Sequence, residues 1–138
     1  MKYLYHITDR KNIEQIKTLG LSPEFSKTGD GIYLSQDQGH AQGYEGHHGD
    51  WEVGTLLRIK RSSINSSLME ADDCDYPDMV GEDYDESDWI DSLRKSGQCM
   101  YRGVIKPNDI ECLSGAGKWK KLISKREKAS VLVLSLLN

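Results

Sequence analysis

The apolar residues of this sequence occur in short runs of strand length, and this pattern limits the fold more than any other feature. The longest run begins at Val131 and ends at Leu137, with one serine inside it. A membrane-spanning helix needs about 20 consecutive apolar residues, so no run is long enough for one. A chain of 138 residues has the length of one domain. We therefore expect a single domain over residues 1–138, built largely from short strands.

Six segments rich in β-branched and aromatic residues are predicted strands. They are residues 2–7, 31–35, 51–59, 99–105, 110–113 and 130–137. Between the first two, Ile13, Ile16 and Leu19 recur at the spacing of a helix. Asp9 is the predicted N-cap of this helix, and Gly20 is its predicted end. Because the later strands follow one another without long helices between them, the order favours an α+β fold over a doubly wound sheet.

Two shorter helices are also expected, one over residues 36–44 around Ala41 and one over the basic segment 118–128. The segment between the strands ending at Ile59 and beginning at Cys99 is expected to be mainly loop. A short helix near Trp89 is the one regular element predicted there.

The charge of the chain is distributed unevenly. No Lys or Arg occurs between Arg61 and Arg94, while eleven of the 22 acidic residues lie between Glu70 and Asp91. Without these eleven acids, the rest of the chain has 18 basic and 11 acidic residues, a net charge of +7. A basic body suits a phosphate-bearing ligand or nucleic acid. The acidic insert, at about residues 62–93, is consistent with a solvated loop, a calcium site or a surface that contacts a protein.

The three cysteines are Cys74, Cys99 and Cys112, an odd number without a CxxC pair. Free thiols in a reducing compartment are the simplest interpretation. The N-terminal residues contain no apolar stretch followed by a small-residue cleavage site. We therefore expect a cytoplasmic protein without membrane association.

Two groups of residues have the side chains of metal ligands, and neither is predicted to bind a metal. Adjacent histidines point in different directions, and no further His or Cys completes a zinc ligand set, so the glycine-rich segment favours a solvated loop. The carboxylates of the insert lack the ligand order and central glycine of an EF-hand. The residues concerned are His40, His47, His48 and Asp50 for the first site, and Asp72, Asp73, Asp75 and Asp78 for the second. No cysteine lies beside a recognisable base, so a cysteine nucleophile is not predicted either.

Three motifs, in order along the chain, carry the strongest functional signal. The first is YHIT at residues 5–8, followed by the predicted helix and TLGLSP. The second is GIYLS at residues 31–35, followed by a short helix. The third is QCMYRGVIKPNDI at residues 98–110. Together they resemble the ADP-ribosyltransferase superfamily, in particular its His-Tyr-Glu branch, and are similar to the bacterial toxins that ADP-ribosylate DNA bases. The resemblance covers about residues 3–44 and 97–113, and the acidic insert lies outside it.

This resemblance implies a split antiparallel sheet of ADP-ribosyltransferase type, with an N-terminal helix and NAD as substrate. By the same resemblance, His6 contacts the adenosine ribose and the backbone beside it, at Ile7, holds the carboxamide. Thr8 adds a hydroxyl contact, and Tyr33 stacks on the nicotinamide ring with its flat face. Taken singly, His6 is equally consistent with a structural histidine, and Tyr33 with an ordinary strand aromatic.

The sequence departs from the family pattern at Gln98, which stands where the third motif has a glutamate. The family's glutamate binds the nicotinamide ribose and favours the positive charge that develops as the glycosidic bond breaks. An amide can orient the ribose but has no charge with which to stabilise it. Three outcomes are therefore open: turnover is slow, an acid from elsewhere such as Glu111 or the insert assists it, or the chain is inactive.

Three functions follow from this reading. The first is a mono-ADP-ribosyltransferase that modifies a protein or nucleic acid, as a toxin or an effector in phage–host conflict would. The second is an inactive or weakly active binding module of the same fold that contacts a partner protein through the acidic insert. The third, a phosphotransferase acting on an RNA 2′-phosphate, requires several arginines near His6, and Arg10 is the only one close in sequence.

Basic residues along the body are candidates for phosphate contacts to NAD or a nucleic-acid acceptor. For the cluster over residues 118–128, a solvated helix face without a ligand is an equally good interpretation. The residues are Arg58, Lys60, Arg61, Lys118, Lys120, Lys121, Lys125, Arg126 and Lys128.

Overall fold

The computed structural model describes residues 2–26, 31–43 and 54–127. Seven strands within these residues form one antiparallel sheet, in the order β4-β5-β2-β1-β3-β6-β7. The strands are β1 (Tyr3–Asp9), β2 (Ile32–Ser35), β3 (Gly54–Lys60), β4 (Met69–Ala71), β5 (Gln98–Tyr101), β6 (Ile110–Leu113) and β7 (Trp119–Lys121). The α-helices are α1 (Ile13–Leu19), α2 (Gln38–Gln42), α3 (Asp75–Val80) and α4 (Trp89–Ser96). The expected combination of an antiparallel sheet with separate helices is therefore confirmed.

The sheet consists of two halves that meet at a narrow seam between β1 and β2. These strands are paired at one register position, where Tyr5 lies opposite Ser35. By contrast, β1 pairs with β3 along its whole length, from Tyr3 to Asp9. The half formed by β4, β5 and β2 therefore joins the half formed by β1, β3, β6 and β7 over a short distance.

The main core lies on one face of the sheet, which the alternation of side chains along the strands lines with apolar residues. Ile16 of α1 and Leu93 of α4 are buried in the same core. Its strand residues include Leu4, Ile32, Leu34, Leu57, Ile59, Met69, Cys99, Tyr101 and Ile110. A smaller cluster contains Ile7, Leu56 and Ala41 of α2. Helices α1 and α4 therefore pack on the main cluster, and α2 packs on the smaller one.

The first helix begins and ends close to its predicted limits. Asp9 accepts a hydrogen bond from Lys11 N at 3.2 Å, which caps a short 3-10 turn that leads into α1. At the other end, Gly20 has φ 77°, and a Cβ there would lie 2.2 Å from the carbonyl oxygen of Ile105. Glycine is required at this position because the backbone of the chain returns so closely beside it.

The acidic insert is folded, so the prediction of a loop with one helix is wrong in part. The helix near Trp89 is confirmed as α4, but the insert also contains strand β4 and helix α3. Met69 and Tyr76 are buried there, and β4 pairs with β5 at the edge of the sheet. The few apolar residues among the acids are thus sufficient to attach the insert to the core.

The basic helix predicted over residues 118–128 is wrong at its start, where β7 extends the sheet instead. Trp119 lies opposite Leu113 in the register, and its ring packs against Tyr5 at a centroid distance of 6.0 Å. This aromatic contact outweighs the helical propensity of the neighbouring lysines. The strand predicted over 130–137 lies outside the described residues, as do residues 51–53 of the third predicted strand.

Within the described part of the chain, no helix has the length and apolar character that crossing a membrane requires.

Candidate functional site

His6 lies on β1 at the seam, where its ring bridges the two halves of the sheet. Its Nδ1 is 2.8 Å from the carbonyl oxygen of Tyr33 on β2. A carbonyl oxygen can only accept, so Nδ1 carries the proton of this hydrogen bond. Burial lowers the pKa of His6 from its usual 6.5, and the hydrogen bond to Tyr33 opposes this effect less strongly. The imidazole is therefore neutral at pH 7, with Nε2 as a hydrogen-bond acceptor.

Tyr33 lies in the middle of β2, opposite Met100 of β5. Its hydroxyl donates a hydrogen bond of 2.5 Å to Oδ1 of Asp73, and Sγ of Cys74 lies 3.6 Å from the hydroxyl oxygen of Tyr33. Burial, together with the hydrogen bond to Asp73, raises the pKa of Tyr33 above its usual 10.0. The phenol thus stays protonated, and the acidic insert holds it by its hydroxyl.

Gln98 is the first residue of β5 and lies opposite Ser35 of β2. It is 3% exposed, and its backbone carbonyl accepts hydrogen bonds from Oγ of Ser92 at 2.7 Å and of Ser96 at 3.2 Å. Within the described residues, no hydrogen bond to its side-chain amide is found. The backbone of Gln98 is therefore held firmly, while its amide is free to bind another molecule.

Ile7 and Thr8 have roles in the protein itself. The side chain of Ile7 is buried against Leu56 and Ala41 in the smaller apolar cluster. Oγ1 of Thr8 accepts a hydrogen bond from Nδ2 of Asn12 at 3.3 Å, which leaves the hydroxyl proton of Thr8 for another acceptor. The backbone of Ile7, but not its side chain, is thus a candidate for ligand contact, as is the hydroxyl of Thr8.

The structure places the three principal residues predicted from the motifs on adjacent strands. Tyr33 and Gln98 share one face of the sheet, whereas His6, next to Tyr5, is on the other face and bonds the backbone of Tyr33 across the seam. His6, Tyr33 and Gln98 lie on β1, β2 and β5, which are neighbours in the sheet. Tyr33 lies opposite Met100, and Gln98 is two residues before Met100 on the same strand. Tyr33 and Gln98 are therefore diagonal neighbours on one face of the sheet. Diagonal residues of this kind are about 7–8 Å apart, a distance that one small ligand can bridge.

The turn that carries Asp73 is held by several hydrogen bonds and was not predicted from the sequence. Asp72 is fully buried and accepts hydrogen bonds from the backbone N–H groups of Cys74, Asp75 and Tyr76 at 2.9–3.0 Å. Its own N–H donates to Oγ of Ser92 at 2.9 Å. An Asp that caps the start of a helix is a signal that the sequence does contain, but no local pattern shows that the next residue reaches Tyr33.

The weaker candidate sites have local partners or lie outside the described residues. Nδ1 of His40 is 2.9 Å from Oδ2 of Asp37, whereas His47, His48 and Asp50 lie outside the described residues. Ligand atoms of Asp72, Asp73 and Cys74 lie within 4.8 Å of one another. The oxygens of Asp72 are already bonded to backbone N–H groups, so this group is explained by the turn itself.

The surroundings of Cys74, Cys99 and Cys112 all favour the protonated thiol over the thiolate. Burial raises the pKa of Cys99 to about 12, and burial also raises the pKa of Cys112 above its usual 9.0. The hydrogen bond with Tyr33 lowers the pKa of Cys74, but burial and the carboxylates of Asp73 and Asp72 raise it by more. No cysteine therefore has the thiolate character of a nucleophile.

Several of the charged residues weighed from the sequence are engaged elsewhere. Arg58 packs over the rings of Tyr3 at 4.1 Å and Trp119 at 4.5 Å, and its Nε is 3.2 Å from Oε1 of Glu111. Glu111 lies on β6, four strands from β5 in the sheet order, so it does not replace the missing acid. Arg61 packs over Trp89 at 4.9 Å. Arg10 is exposed, in the turn after β1.

Comparison with known proteins gives little further information. No known family matches the sequence, and no curated protein matches it. A solved structure named EcPltA is similar to this chain with a TM-score of 0.44 and 12% sequence identity. The match covers 86% of this chain and 81% of that chain. The likeness is a distant one of chain path only.

Proposed function

We propose that this protein is an NAD-dependent mono-ADP-ribosyltransferase that modifies a protein or nucleic acid. The observation that carries the proposal is that His6, Tyr33 and Gln98 lie on three neighbouring strands, where Gln98 is a diagonal neighbour of Tyr33 and His6 bonds the backbone of Tyr33, although they are far apart in sequence. The order of their motifs resembles that of the His-Tyr-Glu branch of the ADP-ribosyltransferases. The narrow seam between β1 and β2 is consistent with the split sheet that this resemblance implies.

In this proposal, His6 binds the adenosine ribose. Its Nε2 is an acceptor because Nδ1 donates to the carbonyl of Tyr33, and a ribose hydroxyl is the complementary donor. The backbone of Ile7 holds the carboxamide, and the hydroxyl of Thr8 adds a further contact. Each of these groups lies on β1, so the strand presents them in a fixed order along the dinucleotide.

Tyr33 provides the stacking surface for the nicotinamide ring. The hydrogen bond from its hydroxyl to Asp73 limits rotation of the phenol, which reduces the entropy lost on binding. Gln98 orients the nicotinamide ribose through an amide that has no partner within the described residues. None of the buried side-chain N or O atoms of the described residues lacks a partner, so the amide of Gln98 reaches solvent. A ribose hydroxyl would replace the water that the amide contacts.

The test is incubation with labelled NAD in the presence of candidate protein, DNA and RNA acceptors. We expect transfer of label by the wild-type protein, and its loss in His6→Ala and in Tyr33→Ala. Tyr5→Phe is the matched control, since it keeps an aromatic ring on the neighbouring strand. A wild-type protein that shows no binding of NAD by calorimetry would disprove the proposal.

A second candidate function is a binding module of the same fold, which contacts a partner through the acidic insert. The specific observation in its favour is that the insert is folded and presents eight exposed acids. They are Asp73, Asp75, Asp78, Glu82, Asp83, Asp85, Glu86 and Asp88. A fixed acidic surface can occupy a basic groove on a partner protein. Binding of NAD without release of nicotinamide would favour this function over the enzyme.

In either function we place the protein in the cytoplasm, as a toxin or conflict effector.

A further inference from the structure

We propose that Asp73 of the acidic insert supplies the carboxylate that the candidate site lacks at Gln98. This inference rests on the proposed function and adds a residue outside the three motifs. Its basis is the hydrogen bond of 2.5 Å between Tyr33 and Asp73, which places a carboxylate at the rim of the same sheet face.

Asp73 differs from the neighbouring acids in its charge environment. Glu70, opposite Met100 on β5, forms an ion pair with Arg102 at 2.7 Å, and Glu111 forms one with Arg58 at 3.2 Å. Among residues 2–26, 31–43 and 54–127, no Lys, Arg or His forms an ion pair with Asp73. Its partners are the phenol of Tyr33 and the thiol of Cys74, both neutral. Its negative charge is therefore not cancelled by a direct cationic partner.

The turn around Asp73 holds this charge in place. Asp72, one residue earlier, is fixed by hydrogen bonds from three following backbone N–H groups. Ser92 connects Asp72 to Gln98, since its Oγ accepts from Asp72 N and donates to Gln98 O. The same serine thus ties the turn of Asp73 to the strand that begins with Gln98. A preorganised charge of this kind costs little reorganisation when positive charge develops nearby.

The reaction step balances without any further reagent. The bond between the ribose anomeric carbon and the nicotinamide nitrogen breaks, and its electron pair stays on the nitrogen, which becomes neutral. The acceptor forms a bond to the same carbon and loses a proton to water. Asp73 favours the positive charge that the ribose bears between these events, which is the part of the reaction that neutral Gln98 cannot assist.

The experiment measures release of nicotinamide from NAD at steady state, together with binding of NAD by calorimetry. Asp73→Asn keeps an oxygen that can accept from Tyr33 and removes the charge. We expect kcat to fall about 100-fold, the usual effect of losing one electrostatic stabiliser, while the dissociation constant for NAD changes little. Asp75→Asn, an exposed acid of the same turn, is the matched control and should leave kcat unchanged. Thermal melting of each variant verifies that folding is preserved.

Two further variants separate charge from positioning. If Asp73 acts only by holding the ring, Asp73→Asn keeps its kcat because the amide oxygen still accepts from Tyr33, whereas Tyr33→Phe loses kcat, and the inference is overturned. Adding Gln98→Glu to Asp73→Asn should restore at least part of the activity, because it returns a carboxylate to the site. A double variant as inactive as Asp73→Asn would count against the inference.

The remaining outcomes distinguish this inference from the proposed function. A wild-type protein that releases nicotinamide, with Asp73→Asn equally active or faster, overturns the role of Asp73 and leaves the transferase proposal standing. A wild-type protein that binds NAD without releasing nicotinamide overturns the role of Asp73 and favours the binding module. A protein that does not bind NAD overturns both.

Discussion

The tautomer of His6 is decided by one neighbouring atom. The carbonyl of Tyr33 determines which ring nitrogen carries the proton, and burial keeps the ring neutral. The motif containing His6 is readable in the sequence, but this arrangement requires β2 to lie beside β1. A neutral ring with a defined acceptor suits a ribose hydroxyl better than a phosphate, which a protonated histidine would bind.

This arrangement predicts the pH dependence of NAD binding. Protonation of Nε2 removes the acceptor, and the pKa of His6 lies below 6.5. We expect the affinity for NAD to be constant between about pH 8 and pH 6.5, and to fall only at lower pH. Calorimetric titration across this range measures the effect, with His6→Ala as the control that should lack this transition. A fall in affinity centred above pH 6.5 would contradict the assignment.

Among the elements, α4 connects the acidic insert to the candidate site. Ser92 and Ser96 on its buried side bond the carbonyl of Gln98, and Gly97 then turns the chain into β5 with φ 81°. The position of α4 was predictable from Trp89 and Leu93, because the amphipathic spacing is local. Its attachment to Asp72 was not predictable, since a serine in a helix has no pattern that reveals its partner.

From the hydrogen bonds of α4 we predict that Ser92→Ala destabilises the protein. The substitution leaves the buried N–H of Asp72 without its acceptor and removes the shorter hydrogen bond to Gln98 O. A loss of about 1–3 kcal/mol in the free energy of unfolding is expected. Ser87→Ala is the control, because the hydroxyl of Ser87 bonds Asp85 at an exposed site. Urea denaturation of both variants measures the difference, and equal stabilities would refute this account of α4.

For the whole molecule, β1 holds the sheet together. It pairs fully with β3 and meets β2 at the seam, and Leu4 at its start is fully buried in the main core. The two halves therefore depend on packing beneath the sheet more than on hydrogen bonds across the seam. The candidate site lies at this seam, so the stability of the core and the geometry of the site are linked.

We expect Leu4→Ala to lower the free energy of unfolding by about 2–5 kcal/mol, because it leaves a cavity in the core. Leu19→Ala removes the same atoms from a side chain that is 48% exposed, and a change within about 0.5 kcal/mol is expected. Denaturant titrations compare the two. A similar effect of both substitutions would show that Leu4 does not support the seam as described.

The sequence by itself determined the strands around the three motifs, the helix from Ile13 to Leu19 and the acidic character of the insert, because these depend on local spacing and composition. Only the tertiary structure decided that Trp119 belongs to a strand, where Tyr5 and Leu113 give it more contact than a helix would. Likewise, only the tertiary structure joined Asp73 to Tyr33, 40 residues earlier in the chain. Such contacts depend on how strands order themselves in the sheet, which local patterns do not encode.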